Sequence, residues 1–359
     1  MSDRIKVLIV DDSAYSRQAI KGMLENDHDI EVVGIASNGI EAMAKTLKLK
    51  PAVITLDFEM PEMDGFSFLR WLMEKKPLPV IMVSSYSDKR TVFTALELGA
   101  VDFVPKPTTR ASLDLLTIQD DLLEKVRGVR GLRMDRLGLH RNMIKQDRET
   151  VRTRRDHSRN YLKGRDIGVV TIGSSTGGPP ALQIILTMLP ADFPAAILIS
   201  QHMPKGFTEP FADRLNKLSK IRVREADDGC PVEKGTALIC PGGNHLALKG
   251  KGHAFRVALV NPTGGDRYTP SVDVMMTSVA EHFGHAAMGI VLTGMGNDGK
   301  KGVVEIKEKG GYTIAESEKT AVVFGMPQEA IKTGAVDMVL PLDEIPDEIT
   351  RVVMAGKKT

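Results

Sequence analysis

The sequence predicts an α/β protein of two parallel-sheet domains joined by a basic segment, and three observations carry that reading. Short β-branched apolar runs alternate with stretches of helical periodicity through the first third of the chain, the pattern of parallel strands connected by helices. A second series of the same kind begins at IGVVTI, residues 167–172. Between the two, the charge balance changes sharply. Residues 1–124 carry 14 basic and 20 acidic side chains, residues 125–165 carry 14 and 4, and residues 166–359 carry 20 and 22. The expected domains are therefore 1–124 and 166–359, with 125–165 between them.

In order along the first domain, the strands are read as KVLIV, IEVVGIA, PAVITL, PVIMVS and VDFV. Helical periodicity follows the first through Met23 and resumes from Gly39 after the second. The middle segment has scattered apolar residues and no sustained helical stripe, so it reads as a flexible, solvated linker. No aromatics interleave with its charges, and no nucleic-acid partner is expected. The second domain continues with AAILIS, TALIC, HAFRVALV, GIVLTG, YTIAE and DMVL as strands.

Of the 359 residues, 42% are hydrophobic and 26% charged, which is ordinary globular composition with room for two to three domains. No apolar run approaches the roughly 18 residues that span a bilayer, so no membrane insertion is expected. The start MSDRIKVLIVDD has neither a signal-peptide apolar region nor a cleavage site, and reads as a cytoplasmic start. The two cysteines, Cys230 and Cys240, are too few for a disulfide framework and wrongly spaced for zinc, and fit free thiols in a reducing compartment.

Ligand sites of parallel sheets lie in the loops after the carboxyl ends of the strands. In the first domain those loops hold Asp11, Asp12, Asp57, Ser84 and Lys106. Three converging carboxylates repel unless a cation neutralises them, and an all-oxygen set suits Mg²⁺, which keeps waters and bridges to phosphate. A carboxylate beside bound Mg²⁺ is a phosphoryl acceptor. Lys106 supplies a point charge for the phosphate, the Ser84 hydroxyl a donor, and Phe103 lies in the last strand where it can report movement. Taken singly the bland readings compete: Asp12-Ser13 as a helix cap, Lys106 as a solvated head, Phe103 as core.

LIVDDS, TLDFEMPEMDG, MVSS and VPKP, in this order and spacing, resemble the response-regulator receiver domain. The resemblance implies a flavodoxin-like (βα)5 fold, Asp57 as phospho-acceptor, Asp11, Asp12 and Asp57 as the Mg²⁺ site, and Ser84, Phe103 and Lys106 as switch and phosphate contacts. The output is carried by the second domain.

There, the first strand runs into GSSTGGPPAL. Gly173, Ser175 and Gly177 fit G-x-S-x-G on a strand-to-helix turn, the setting that exposes a nucleophilic serine. A glycine-rich anion cradle without chemistry fits the same residues. Two histidines compete as base: His202 ends the run AAILISQH at a strand's carboxyl end, and His245 follows PGGN in a turn. Placement favours His202. Asp298, after the strand GIVLT, supplies an orienting carboxylate, and the backbone N–H groups of the turn, Thr176 first, an oxyanion site. The order Ser, His, Asp differs from that of α/β-hydrolases, so the motif does not assign that fold. Gly294, Gly296 and Gly299 also form G-x-G-x-x-G, with Glu316 and Glu318 where a ribose-binding acid belongs, a dinucleotide fingerprint weakened by Asp298 inside the loop.

GSSTGGPPAL, ISQHMP, ICPGGNH and LTGMGNDG together resemble the catalytic domain of the chemotaxis protein-glutamate methylesterases, a family in which a receiver precedes a linker and the enzyme. The resemblance implies a doubly wound, mostly parallel catalytic domain with Ser175, His202 and Asp298 as triad, Met295 near the active site, and no cofactor there. It implies γ-glutamyl methyl esters on the cytoplasmic helices of methylated chemoreceptors as substrate, deamidation of receptor glutamines by some members, and a place in chemotactic adaptation at cytoplasmic receptor arrays. Phosphorylation of Asp57 by a chemotaxis histidine kinase would relieve a receiver that covers the active-site mouth. The family often has Ala where Ser174 stands, and the motif register selects Ser175.

Overall fold

A computed structural model describes residues 4–85, 89–106, 118–145, 166–250 and 254–355. It divides into two compact units, Met1–Arg141 and Asn142–Thr359. No helix of the described residues is long and apolar enough to cross a membrane.

In the first unit, β1 (Ile5–Val10), β2 (Ile30–Ala36), β3 (Val53–Leu56), β4 (Val80–Ser85) and β5 (Asp102–Lys106) form one parallel sheet in the order β2-β1-β3-β4-β5, the flavodoxin-like order. The helices between them are α1 (Ala14–Glu25), α2 (Gly39–Leu49), α3 (Gly65–Lys75) and α4 (Lys89–Leu98). Ser13, Asn38 and Asp64 each accept a hydrogen bond from a backbone N–H in the first turn of α1, α2 and α3, which satisfies a donor the helix leaves unpaired. The strand interiors are apolar on both faces because helices cover both, and β1 and β3 are apolar apart from the exposed Lys6 and the buried Thr55.

The expected boundary at residue 124 falls inside a helix. α5 (Gln119–Gly128) is followed by a single 3₁₀ turn and α6 (Met134–Lys145). Leu122, Leu123 and Val126 pack into the same core as Ile5, Val7 and Ile20. Two of the charges that mark the segment as linker are paired on this unit: Lys125 Nζ lies 2.9 Å from Asp102 Oδ1, and Arg127 Nε 2.5 Å from Asp27 Oδ2. Composition counts a charge without seeing its partner, which is why residues 125–145 read as unstructured. The remainder of the expected linker, 146–165, lies outside the described residues.

The second unit is built on a seven-stranded, wholly parallel sheet, β14-β13-β12-β6-β7-β9-β8. Its strands are β6 (Val169–Ser174), β7 (Ala196–Gln201), β8 (Arg222–Glu225), β9 (Thr236–Ile239), β12 (Ala287–Val291), β13 (Tyr312–Glu316) and β14 (Met338–Leu340). Its helices are α7 (Gly178–Met188), α8 (Thr208–Leu218), α9 (Val272–Phe283), α10 (Lys300–Glu308), α11 (Met326–Lys332) and α12 (Ile345–Ala355). The chain winds from β6 to one side through β7 and returns to the other at β12, so a crevice opens between the carboxyl ends of β6 and β12.

Three strands differ from expectation. HAFRVALV is not part of the parallel series: β11 (Arg256–Val260) pairs antiparallel with β10 (His245–Lys249) in a sheet of its own. Leu246, Leu248 and Val257 face the core while Ala247, Lys249, Arg256 and Ala258 are more exposed, the signature of a sheet covered on one face. β8, RVRE, is a short charged edge strand, and edge positions tolerate such composition.

Trp71, the single tryptophan, lies in α3, so its fluorescence reports the first unit. Val126→Asp places an unpaired charge in that unit's core and is expected to lower its stability by about 3 kcal/mol or more, measured as the shift of the Trp71 urea transition. An unshifted transition would return residue 126 to the linker.

Candidate active site

The first unit gathers its charge where β1, β3 and β5 end. Asp11 follows β1, Asp57 follows β3, and Lys106 closes β5. Lys106 Nζ lies 2.6 Å from Asp11 Oδ2 and is also bonded to Asp57 Oδ2. The carboxylate oxygens of Asp11, Asp12 and Asp57 come within 4.8 Å of one another. Asp11 and Asp57 are buried and Asp12 is exposed. Burial pushes the Asp11 carboxyl above its ordinary range despite Lys106. For the Lys106 ammonium, burial acts downward but Asp57 and Asp11 outweigh it, and its value is raised.

Arg17, which sequence reasoning did not single out, donates from Nη1 to the backbone carbonyls of Asp11 and Asp12 at 2.6 and 2.8 Å and fixes the turn that carries both acids. A Cβ on Gly65 would stand 2.2 Å from the Asp57 carbonyl oxygen, so α3 can begin beside Asp57 only on glycine. Ser84 is buried on β4 opposite Pro105. Phe103 is buried on β5 beneath the Lys125 ammonium, 5.6 Å above its ring.

In the second unit, Ser175, His202 and Asp298 follow three neighbouring strands, β6, β7 and β12. The Ser175 N–H donates to Thr293 O, and the His202 N–H to Ser174 O, each at 3.0 Å, so both residues extend the sheet ladder beyond its strands. Ser174 and Ser175 separate cleanly. Ser174 is fully buried, its hydroxyl donating to Gln201 Oε1 at 2.7 Å, while Ser175 keeps solvent access. Gln201 in turn donates to the carbonyls of Ser175 and His202 at 3.0 Å and clamps the two site turns together. A Cβ on Gly294 would lie 2.8 Å from Ser175 Cβ, and only glycine lets the loop after β12 pass behind the serine.

His202 Nε2 lies 2.8 Å from Asp298 Oδ2. The carboxylate fixes the proton on Nε2 and leaves Nδ1 as the basic nitrogen. Asp298 is 2% exposed yet fully satisfied. Its Oδ2 also accepts from Val272 N at 2.7 Å, and its Oδ1 from the Ser271 hydroxyl at 3.0 Å, Asp273 N at 2.9 Å and Gly299 N at 3.1 Å. It thus caps the N-terminus of α9, where the helix dipole favours an anion. Burial acts to raise its pKa, but the His202 side chain and the backbone N–H groups of Val272 and Asp273 outweigh it and hold the carboxyl below its usual value. No hydrogen bond joins the Ser175 hydroxyl to His202 in this structure, and such bonds in unliganded sites commonly tighten only with substrate.

Thr176 is buried in the turn, and Met295 is half-buried in the loop before Asp298. Tyr268, which no sequence pattern singles out, stacks on the His202 ring with centroids 4.9 Å apart and planes 10° from parallel. His245 cannot serve as the base: both ring nitrogens are engaged, Nε2 to Asp266 Oδ2 at 3.2 Å and Nδ1 accepting from Ser271 N at 3.0 Å. Of the two acids in the dinucleotide reading, Glu318 is exposed and Glu316 is closed off. Glu316 is completely buried, accepting from Thr293 N at 2.8 Å and the Thr320 hydroxyl at 2.9 Å, so it cannot meet a ribose.

Residues 170–349 match the family model described as CheB methylesterase, and residues 7–117 that of the response regulator receiver domain. A relative from Geobacter sulfurreducens named protein-glutamate methylesterase/protein-glutamine glutaminase 3 is 51% identical over 360 residues, 96% of this chain and 96% of its own length. One of the same name without the number, from Caldanaerobacter subterraneus subsp. tengcongensis, is 43% identical over 367 residues, 100% of this chain and 99% of its own. The crystal structure of the Thermotoga maritima CheB methylesterase catalytic domain is 42% identical, with a TM-score of 0.51, covering 54% of this chain and all of that one.

A carboxyl held below its unfolded value contributes stability that is complete above that value and is lost as pH falls through the folded one. Replacing Asp298 with Ala strands five donors and is expected to cost about 3 kcal/mol at neutral pH. The difference between wild type and variant should stay constant down to the ordinary carboxylate value of 3.8 and narrow below it, as followed by urea unfolding across a pH series. A gap that widens in acid contradicts the assignment.

Proposed function

This chain belongs to the CheB methylesterase family, with a response regulator receiver domain ahead of the methylesterase domain, and from that premise we propose how it acts as a protein-glutamate methylesterase. The observation that carries the proposal is the Asp298 carboxylate on His202 Nε2, which directs the basic Nδ1 to the serine's proton. The Ser175 oxygen attacks the γ-carbonyl of a glutamyl methyl ester as His202 Nδ1 takes its proton. The backbone N–H of Thr176, in the serine turn, donates to the tetrahedral oxyanion. His202 then returns the proton to the leaving methoxide, releasing methanol, and activates water to free the glutamate. With a glutamine side chain the same steps release ammonia, which is the deamidation named in the relatives' second activity. Met295 borders the substrate, and Tyr268 keeps the imidazole in plane.

Asp11, Asp12 and Asp57 fit Mg²⁺, since their oxygens lie within 4.8 Å and are of the hard type that ion prefers. When bound it supplies neutralising charge for phosphoryl transfer to Asp57. A phosphoryl group adds about −1.5 to −2 charge and competes with Asp11 for Lys106, while the Ser84 hydroxyl donates to it. Phe103 and Lys125 sit next along β5 and α5 and carry the change onward. The phosphodonor is a chemotaxis histidine kinase and the substrates are methylated chemoreceptor cytoplasmic domains, which places the protein at cytoplasmic receptor arrays.

The test is methanol release from methylated chemoreceptor membranes, with and without Mg²⁺ and a small-molecule phosphodonor. Ser175→Ala is expected to lose at least about 10³-fold of the rate and Ser174→Ala to keep it. Asp57→Ala should retain basal release but lose its rise with phosphodonor. Release that survives Ser175→Ala rejects the triad, and a rise that survives Asp57→Ala rejects the switch.

A further inference from the structure

A second histidine–carboxylate pair stands behind the first. His245, 3% exposed, opens β10, and its ring reaches across to the eleven-residue stretch 261–271 between β11 and α9. It grips that stretch at two points. Nε2 faces Asp266 Oδ2 at 3.2 Å, and Nδ1 accepts the Ser271 N–H at 3.0 Å. These bonds require a neutral ring protonated on Nε2.

Both grips lead to the catalytic dyad. Ser271 is the N-cap of α9: its hydroxyl accepts from Val274 N at 3.3 Å and donates to Asp298 Oδ1 at 3.0 Å. Tyr268, between the gripped residues, carries the ring that stacks on His202. Asp266 is itself held, accepting from the Thr263 N–H and hydroxyl at 2.6 and 3.0 Å, so the loop closes on itself before His245 fastens it. His245 is secured in turn by the β10–β11 ladder and by the Leu248 N–H on the Ser278 hydroxyl of α9, at 2.9 Å. Residues 261–267 are exposed and lack regular structure; beside these bonds, Asn261 Oδ1 accepts from Asn244 Nδ2 at 3.1 Å and the Tyr268 hydroxyl donates to Asn297 Oδ1 at 3.4 Å.

We infer that His245, with Asp266, is a positioning residue for ester hydrolysis: it fastens the 261–271 loop so that Ser271 aims the Asp298 carboxylate and Tyr268 caps the His202 ring. The inference rests on the Ser175–His202–Asp298 reading and deepens it. His245 touches neither substrate nor reacting atoms. Its effect is exerted on the orientation of His202, so it acts on turnover more than on substrate binding.

The experiment compares full-length wild type, His245→Leu, His245→Asn, Asp266→Ala and Ser175→Ala on methylated chemoreceptor membranes. Rates of the proteins that keep Ser175 are expressed per reactive serine, counted by end-point titration with a fluorophosphonate, which removes any misfolded fraction from the comparison, and Ser175→Ala is compared per mole of protein. His245→Leu is expected to lower kcat by about tenfold to a hundredfold with KM within about twofold. His245→Asn places an amide oxygen near the position of Nδ1, can still accept the Ser271 N–H, and should recover most of that loss. Asp266→Ala, on the exposed loop, leaves the core untouched and should lower kcat in the same direction. In the proton NMR spectrum, the far-downfield resonance of the His202 Nε2 proton should move or broaden in His245→Leu and return in His245→Asn.

Unchanged kcat per serine in both His245→Leu and Asp266→Ala, with Ser175→Ala inactive, overturns this inference and leaves the triad standing. A downfield proton that does not move in His245→Leu overturns it as well. Turnover in Ser175→Ala would remove the triad and this inference with it.

Discussion

The catalytic unit depends on one buried carboxylate. Five hydrogen bonds converge on Asp298, two of them from backbone N–H groups at the start of α9 and one from Gly299 at the start of α10. Burying a carboxylate alone would cost far more than one hydrogen bond returns, so its place fixes the place of everything that satisfies it. Gly173 makes the approach geometrically available. A Cβ there would stand 2.2 Å from Val272 Cγ1, so glycine on β6 lets the first residue of α9 close on the sheet. Helix, loop and histidine then share one anchor, and the imidazole inherits its orientation from the helix end.

The receiver unit solves the same electrostatic problem in a different way. Its strand ends also gather carboxylates, with Asp11 accepting the Ser13 N–H at 2.9 Å and Asp57 the Phe58 N–H at 2.8 Å. A lysine stands between them, with exposed Asp12 at the edge. Asp298 is closed in on all sides, which suits a group that orients and never reacts. In the Asp57 cluster a lysine bridges two buried acids and a third acid faces solvent, which suits the phospho-acceptor role proposed for Asp57.

How much of this was legible follows from the same physics. β6, β7 and β12 are buried on both faces, so they stand out as largely apolar runs, and the residues after them could be read as strand-end chemistry. Ser175, His202 and Asp298 came from that rule together with the family resemblance. β8 and β10 were illegible because one is a charged edge strand and the other is covered on one face and follows a glycine turn. Residues 125–145 misled because Lys125 and Arg127 were counted as solvated when Asp102 and Asp27 hold them. The G-x-G-x-x-G run reflects tight packing: Gly294 passes behind Ser175, and Gly296 and Gly299 turn with φ of 85° and 91°, conformations that favour glycine. Gln201 and Tyr268 act through tertiary contacts, and a sequence holds no local trace of those.

His202 and His245 show why motif chemistry needs geometry to finish it. Each is a histidine on a carboxylate, near the end of a strand, in the same unit. What separates them is the second nitrogen. In His245 it is filled by the Ser271 N–H, so the ring has no lone pair left for a substrate proton and can only hold. In His202 Nδ1 has no protein partner among the described residues, and the ring is 15% exposed beside the serine turn, so it can accept a proton and give it back. The difference between a base and a brace is thus set by one backbone amide, placed by the same helix N-terminus that receives Asp298.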